Sequence, residues 1–416
     1  MKARLTYKKP AEEEVKIEVT GSKSESNRLL ILQAFYNNIS LTNISKSDDT
    51  QVLQEALASV DDNLDIHHAG TAMRFLTAFF AVQQNREVLL TGSERMQQRP
   101  IGILVDALRD LGAEIFYENN EGFPPLRING KKLKKNTINI QANVSSQYIS
   151  ALMLIAPSLE NGLELKLQGL ITSTPYLNMT LSLLEKIGVE TYCEKNKIKI
   201  LPKKKVERTE VTVESDWSSA SYFYSIVALS ENLSVTLTSY SENSLQGDSE
   251  LSLIYKNLGV ETFFNSEENS ITLSKNKEPL PEMLMLDLTN TPDIAQTIAV
   301  TCFGLNIGCD IKGLHTLKIK ETDRLVALKN ELGKFGSKIK ITEDSLHLSA
   351  LKNVGFANVS SKVIVVETYQ DHRMAMAFAP LAIKIPFFVS EPTVVSKSFP
   401  TFWEDLQKAG IFSEIK

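Results

Sequence analysis

The chain has 416 residues, enough for two or three domains at roughly 150 residues each. Its 45 Lys and Arg against 50 Asp and Glu leave a net charge of −5, and only 7% of residues are aromatic. That balance argues against a dedicated nucleic-acid binder, which shows a basic excess or stacking aromatics. Three cysteines (Cys193, Cys302, Cys309), none in a C-x-x-C pair, exclude a disulfide framework and disfavour structural zinc. No apolar run reaches the roughly 18 residues of a membrane span. The longest, residues 374–383, contains Pro380 and stops at Lys384. The first residues carry basic groups without an apolar core, so no secretory signal is expected. A reduced, cytoplasmic protein is expected.

From the N-terminus onward, one order of elements recurs. A short polar lead opens an apolar helix at G-S-K-S-E-S-N-R (21–28), A-G-T-A-M-R (69–74) and V-S-S-Q (144–147). It does so again at S-D-W-S-S (215–219), T-P-D (291–293) and Y-Q-D-H-R (369–373). A second, leucine-rich helix then ends in a glycine and gives way to a strand. The closing glycines are Gly112, Gly188, Gly259, Gly336 and Gly410. Glycine there suits a left-handed position after a helix. The period, about 74 residues, exceeds the roughly 20–50 of common solenoid repeats. It fits five or six copies of an α/β module with two helices and several strands. Basic stretches such as K-K-K at 203–205 lie between strand-like segments and read as solvated turns.

The polar leads are where chemistry is expected. A helix N-terminus carries unpaired amide donors and the positive end of the dipole. Ser24, Thr71, Ser145, Ser146 and Ser218 are candidate N-caps. Lys23, Arg28, Arg74, Arg99, Lys320, Arg324, Arg373 and Lys397 lie within or beside such motifs. An acidic protein that concentrates its cations at helix N-termini suits a polyanionic ligand, with Arg gripping carboxylates and phosphates bidentately. Neither a Walker loop nor a dinucleotide fingerprint occurs. Asp293 and Glu321 are the acids that stand among these cations. A carboxylate beside positive charge stays ionised and can act as a base or relay a proton. His372 is a candidate orienting group, and the five histidines show no metal-ligand spacing.

These motifs, taken in order, resemble the 5-enolpyruvylshikimate-3-phosphate (EPSP) synthase family of enolpyruvyl transferases. The matching blocks are GSKSESNRLL, AGTAMRFL, GSERMQQRPIG, VSSQYISALML, STPYLNMTL, SASYF, LQGD, TPDIAQTIAV, KIKETDRL, YQDHRMAMAFA and SKSFPTFW. They run from about Gly21 to Trp403. The resemblance implies an α/β fold of two similar domains, each of three βαβαββ units in an inside-out barrel arrangement. By analogy, 1–20 plus 214–416 form the first domain and 21–213 the inserted second, with the active site in the cleft between them.

The implied reaction joins phosphoenolpyruvate (PEP) to the 5-hydroxyl of shikimate 3-phosphate through a tetrahedral intermediate. It gives EPSP and phosphate, in the shikimate pathway of aromatic amino acid biosynthesis, without metal or organic cofactor. The family places shikimate 3-phosphate on Lys23, Ser24, Arg28, Ser145, Ser146, Gln147, Ser173, Asp293 and Lys320, with Tyr176 nearby. It places PEP on Lys23, Gly70, Arg99, Gln147, Arg324, Arg373 and Lys397. Asp293, Glu321 and Lys23 carry the catalytic roles. The partners implied are these two small molecules, with no nucleic acid, no membrane and a monomeric chain. His68, Phe75, Thr174 and Thr316 depart from the common bacterial pattern, but none is a charged catalytic position. The sister transferase acting on UDP-N-acetylglucosamine usually carries a Cys before its R-P block, where S-E-R-M-Q-Q-R-P stands here. A silent anion-binding paralogue would lack Asp293, Glu321 or the clamp.

Overall fold

The glycine rhythm marks real chain reversals. Gly112, Gly188, Gly259, Gly336 and Gly410 all have φ between 81° and 107°, a region costly for any residue with a Cβ. Each follows the second helix of a repeat and turns the chain into a strand, which opens a hairpin in every case but the last. After the helix Gly102–Leu111, for example, Gly112 is the left-handed cap, its N–H facing the carbonyls of Arg109 and Leu108. The computed structural model describes residues 1–142, 145–169, 174–350 and 363–415.

One repeat shows the plan. Strand Asn63–Asp65, helix Gly70–Ala81, strand Glu87–Thr91, helix Gly102–Leu111 and strands Glu114–Tyr117 and Leu126–Asn129 follow in order. The first two strands pair in parallel, which requires the crossover that the first helix supplies. The last strand then adds antiparallel to the second and carries its hairpin partner at the edge. Four more sheets have the same strand order. In one, Val365–Val366, Phe387–Ser390 and Ile411–Ile415 take their fourth member, Lys2–Tyr7, from the start of the chain.

The sixth repeat is shorter. Thr209–Thr212 pairs in parallel with Ile39–Thr42 around the helix Lys23–Phe35. Its second helix, Asp48–Ala58, ends on an extended Ser59 and the chain runs into Asn63 with no hairpin between. The expected six βαβαββ copies are therefore five full ones and a truncated one. That is why the glycine signal appears five times. The sheets remain six separate ones among the described residues.

The repeats sort into two compact units. One holds Met1–Thr20 with Glu214–Lys416 and the other Gly21–Val213. Within each unit, the first helices of three repeats form the centre. Their apolar lengths are enclosed on all sides, as in a core helix, although Lys23–Phe35 opens on the polar run K-S-E-S-N-R. In Trp217–Leu229 every residue but Ser218 is buried, and in Gly70–Ala81 every residue but Thr71. Buried hydroxyls bond across helices, Ser221 to Thr297 at 3.1 Å and Thr301 to Ser225 at 2.7 Å. Such paired hydroxyls fix the helix register where an unpaired one would be costly. The polar exceptions, Thr71 and Ser218, sit in the first turns of their helices. Among the described residues, no helix is long and apolar enough to cross a membrane.

Candidate active site

In the unit containing the chain's C-terminal half, three central helices bring their N-termini together. Trp217–Leu229 contributes Ser218, Ala295–Leu305 is preceded by Asp293 in a 3-10 turn, and His372–Phe378 contributes Arg373. Arg373 donates through Nη1 to the Asp293 carbonyl and through Nη2 to Ser218 Oγ, both at 3.2 Å. Its Nη2 also lies 3.4 Å from Asp293 Oδ2.

Arg324 is the hub of this cluster. The helix Arg324–Lys334 starts on Asp323, whose carboxylate caps the Leu325 and Val326 amides. That places Arg324 in the first turn, 2% exposed, with its guanidinium turned inward. Nε donates to Asp371 Oδ2 at 2.7 Å, Nη1 to Asp293 Oδ1 at 2.9 Å and Nη2 to Glu321 Oε2 at 3.0 Å. Nη2 also reaches Asp371 Oδ1 at 3.3 Å. Lys320 stands 3.5 Å from Asp293, and buried Lys397 donates to Glu321 Oε1 at 2.6 Å. The two acids expected to do chemistry thus share one arginine.

The electrostatics follow from this crowding. Burial pushes the Asp293 carboxyl up, but Lys320, Arg373 and Arg324 together outweigh it and hold it well below the usual range. Burial lowers the Arg324 pKa, yet Asp371, Glu321 and Asp293 overcome that and raise it. The Asp293 charge raises the Lys320 pKa, but burial and the neighbouring arginines win and lower it. Asp248, in the L-Q-G-D block, accepts a hydrogen bond from Ser218. Burial, with the Asp293 charge adding to it, lifts its carboxyl to about 6.

The Asp248 shift has a stability consequence. Its folded pKa is above the ordinary carboxyl value of 3.8, so folding favours the protonated acid. Stability is therefore lost as pH rises from about 4 towards 6 and is not regained above it. Asp248→Asn is expected to stabilise the protein by about 2–3 kcal/mol at pH 8, and much less at pH 4. Melting curves at the two pH values check this. An equal gain at both would sink the assignment.

The other unit repeats the arrangement. Helices Lys23–Phe35, Gly70–Ala81 and Ser146–Ile155 are its central three. Gln147 Nε2 donates to Thr71 Oγ1 at 3.1 Å, joining two of their first turns. Lys23 lies 3.3 Å from Asp49 Oδ2. The Arg99 guanidinium covers the start of the Gly70 helix. A Cβ on Gly70 would lie 2.5 Å from Arg99 Nη1, so glycine is what lets the arginine rest there. Among the described residues, no salt bridge engages Arg99. Arg74, 3% exposed, ties the Gly70 carbonyl to that of Pro100 and so fixes the loop carrying Arg99.

Arg28 is more enclosed than its motif suggests. It is 2% exposed and donates to Thr180 Oγ1, the Ser24 carbonyl, Ser150 Oγ and the Tyr176 carbonyl at 2.7–3.4 Å. Phe75 and Tyr176 lie against its guanidinium. Burial lowers its pKa to about 10, which still leaves it charged near neutrality. Four donors are taken and one remains. Ser145 and Ser146 begin their helix half-buried, while Ser173 lies outside the described residues.

Capping differs from the sequence expectation. Only Ser145 of the five candidates is an N-cap, its Oγ accepting from Gln147 N. The other caps are Ser22, Ala69 and Asp216, so Ser24, Thr71 and Ser218 fall inside the first turn. Asp371, Asp248 and Asp49 are site neighbours that the sequence does not single out. Asp371 and Asp248 lie within recognised motif blocks, but nothing in the spacing shows what they touch. Among the described residues, no three His, Cys, Asp or Glu side chains group as metal ligands.

Two units of repeated α/β modules, with acids seated among cations at helix N-termini, define an enzyme for small, multiply anionic substrates. The profile of the EPSP synthase (3-phosphoshikimate 1-carboxyvinyltransferase) family matches residues 51–406. A 3-phosphoshikimate 1-carboxyvinyltransferase of Bacteroides fragilis is 46% identical over 98% of this chain and 98% of its own length. One from Haemophilus influenzae is 34% identical over 94% and 95%. A solved structure titled EPSP synthase, from Acinetobacter baumannii, shares the fold with a TM-score of 0.77 at 21% identity. It covers 100% of this chain and 99% of that one. The chain belongs to the EPSP synthase family.

Proposed function

We propose that the chain transfers the enolpyruvyl group of PEP to the 5-hydroxyl of shikimate 3-phosphate, releasing phosphate and EPSP. The observation that carries this reading is the Asp293–Arg324–Glu321 bridge, two acids held on one arginine beside Lys320, Arg373 and Lys397. Each substrate brings a carboxylate and a phosphate, and the cations suit both. The residues assigned to shikimate 3-phosphate are Lys23, Ser24, Arg28, Ser145, Ser146, Gln147, Ser173, Asp293 and Lys320. Lys23, Gly70, Arg99 and Gln147 with Arg324, Arg373 and Lys397 serve PEP.

The step is an addition followed by an elimination. The 5-hydroxyl oxygen bonds to C2 of PEP and gives its proton to Asp293, while C3 gains a proton. The C2–phosphate bond then breaks as C3 loses a proton, with Glu321 and Lys23 serving C3. The depressed pKa of Asp293 makes it a weak base on its own. Bound anions absorb the field of Lys320, Arg373 and Arg324, and that raises Asp293 towards a working value. The base is strengthened by the substrates it serves. No metal or organic cofactor enters the scheme.

A phosphate-release assay tests the reaction. Phosphate should appear with both substrates together and stay absent when either is omitted. Release that needs only one would reject it.

Arg99→Ala tests the PEP assignment in the second unit. Losing a charge-assisted donor costs about 1.5–3 kcal/mol, or roughly 10- to 150-fold in the PEP requirement. The affinity for shikimate 3-phosphate should stay within about twofold of wild type, a few tenths of a kcal/mol. Equal weakening of both substrates would remove Arg99 from the PEP set.

A further inference from the structure

The helix Arg324–Lys334 is fastened to the segment before His372 at two points. At its start, Arg324 holds Asp371 through two bonds. Two turns on, Glu331 is completely buried within the same helix. Its Oε1 accepts from the Tyr369 hydroxyl at 2.7 Å and its Oε2 from the Glu367 amide at 2.9 Å. Lys334 donates to the same Oε2 at 2.6 Å and to the Val365 carbonyl at 2.8 Å. A fully buried carboxylate needs such partners, and three of them come from, or reach, residues 365–369.

The backbone between the two fastenings is strained. Tyr369 and Gln370 have φ of 54° and 56°, two successive residues with side chains in the left-handed region. Neither is glycine, so the turn persists only if its surroundings hold it. Upstream, the Thr368 amide bonds to Ser390 Oγ at 3.2 Å, and the Asp371 amide closes the turn on the Thr368 carbonyl at 2.9 Å. Downstream, Asp371 caps the Arg373 amide at 2.9 Å while gripping Arg324.

We propose that Glu331 and Tyr369 are positioning residues: a latch that holds the left-handed turn so that Asp371 can orient Arg324 and start the helix bearing Arg373. They touch neither Asp293 nor Glu321. They act by fixing where two of the cluster's arginines point. This rests on the reading of Arg324 and Arg373 as PEP-binding groups. It adds Glu331, which no motif marked, and gives a role to Tyr369, the first residue of the Y-Q-D-H-R lead, through a polar contact separated by 38 positions in sequence. The Tyr369 hydroxyl is pushed up to about 12, by partial burial first and then by its bond to Glu331, so it stays a donor at working pH.

Tyr369→Phe removes the hydroxyl and keeps the ring, and Tyr369 is exposed enough for the fold to tolerate it. Glu331→Gln keeps an acceptor for Tyr369 and loses the charge. With the lost bond transmitted in part, Tyr369→Phe should raise the KM for PEP about 3- to 15-fold. Calorimetric binding of shikimate 3-phosphate should change less than about twofold, a small ΔΔG. Amide hydrogen exchange at Glu367 and Asp371 should quicken in both variants, with Tyr369→Phe and Asp371→Asn non-additive in KM. Faster exchange with an unchanged KM for PEP would make the pair merely structural and overturn the proposal. So would equal weakening of both substrates, or unchanged exchange. Wild-type protein assayed alongside separates the two claims: if it releases no phosphate the reaction is wrong, whereas the exchange result judges the latch.

Discussion

Asp293→Asn and Glu321→Gln are expected to lower turnover by about 10²–10⁴, the usual worth of positioned acid–base catalysis. Each change keeps size and hydrogen-bonding capacity, so Arg324 keeps a neutral acceptor at either position. Each also removes a negative charge near anionic ligands. Binding of shikimate 3-phosphate should therefore be kept or tightened. The two variants should differ in one readout. Reversible protonation of C3 lets wild-type enzyme exchange solvent hydrogen into the PEP methylene, and Glu321→Gln should lose that exchange. Single-turnover rates, calorimetric binding and deuterium incorporation check the set. A variant that loses binding in step with its rate would show a structural carboxylate, and its proton-transfer role would fall.

The sequence exposed what is local and hid what is not. The five glycines and leucine-rich helices were legible because a helix stop is written within a few residues. The truncated sixth repeat was not, because a missing hairpin leaves no signal except a missing glycine. Lys320, Glu321 and Arg324 could be read as a group, since they share one short stretch. Arg28 shows the limit. Its motif points to an anion, yet most of its donors end on Thr180, Ser150 and Tyr176, as far as 152 residues away. No spacing rule reaches that far. The caps slipped by one or two residues, as helix boundaries do when read from pattern alone. Asp371 was hidden for a different reason. It sits between the named residues of a motif, but its weight comes from Arg324, 47 positions earlier.

Arg324→Met should be the most disruptive single change in its unit. The arginine is 2% exposed and bonds to three carboxylates, one of them, Asp371, with no exposure at all. Removing it leaves buried negative charges facing one another. Breaking one buried pair costs about 3–5 kcal/mol, and here one side chain serves three partners. At about 2–4 °C per kcal/mol for a unit of this size, the melting temperature should fall by roughly 6–20 °C. The loss should also depend on pH. In the wild type, Asp293 has a folded pKa below the ordinary carboxyl value of 3.8, so its stabilisation is complete above that value and is lost only at lower pH. Without Arg324, Asp293 keeps Lys320 and Arg373 and Glu321 keeps Lys397, but each of the three carboxylates loses a counter-charge, so the variant's deficit grows as pH rises and the acids ionise. The variant should melt closer to wild type at pH 5 than at pH 8. Arg324→Lys keeps a charge but not the fork that spans three acceptors, so it should recover part of the stability and little of the turnover. Melting curves for both variants across that pH range, with phosphate release beside them, make the check. If Arg324→Met melted within a degree or two of wild type throughout, the hub would carry no net stabilisation. Its three carboxylates would then be held in place by the surrounding helices alone.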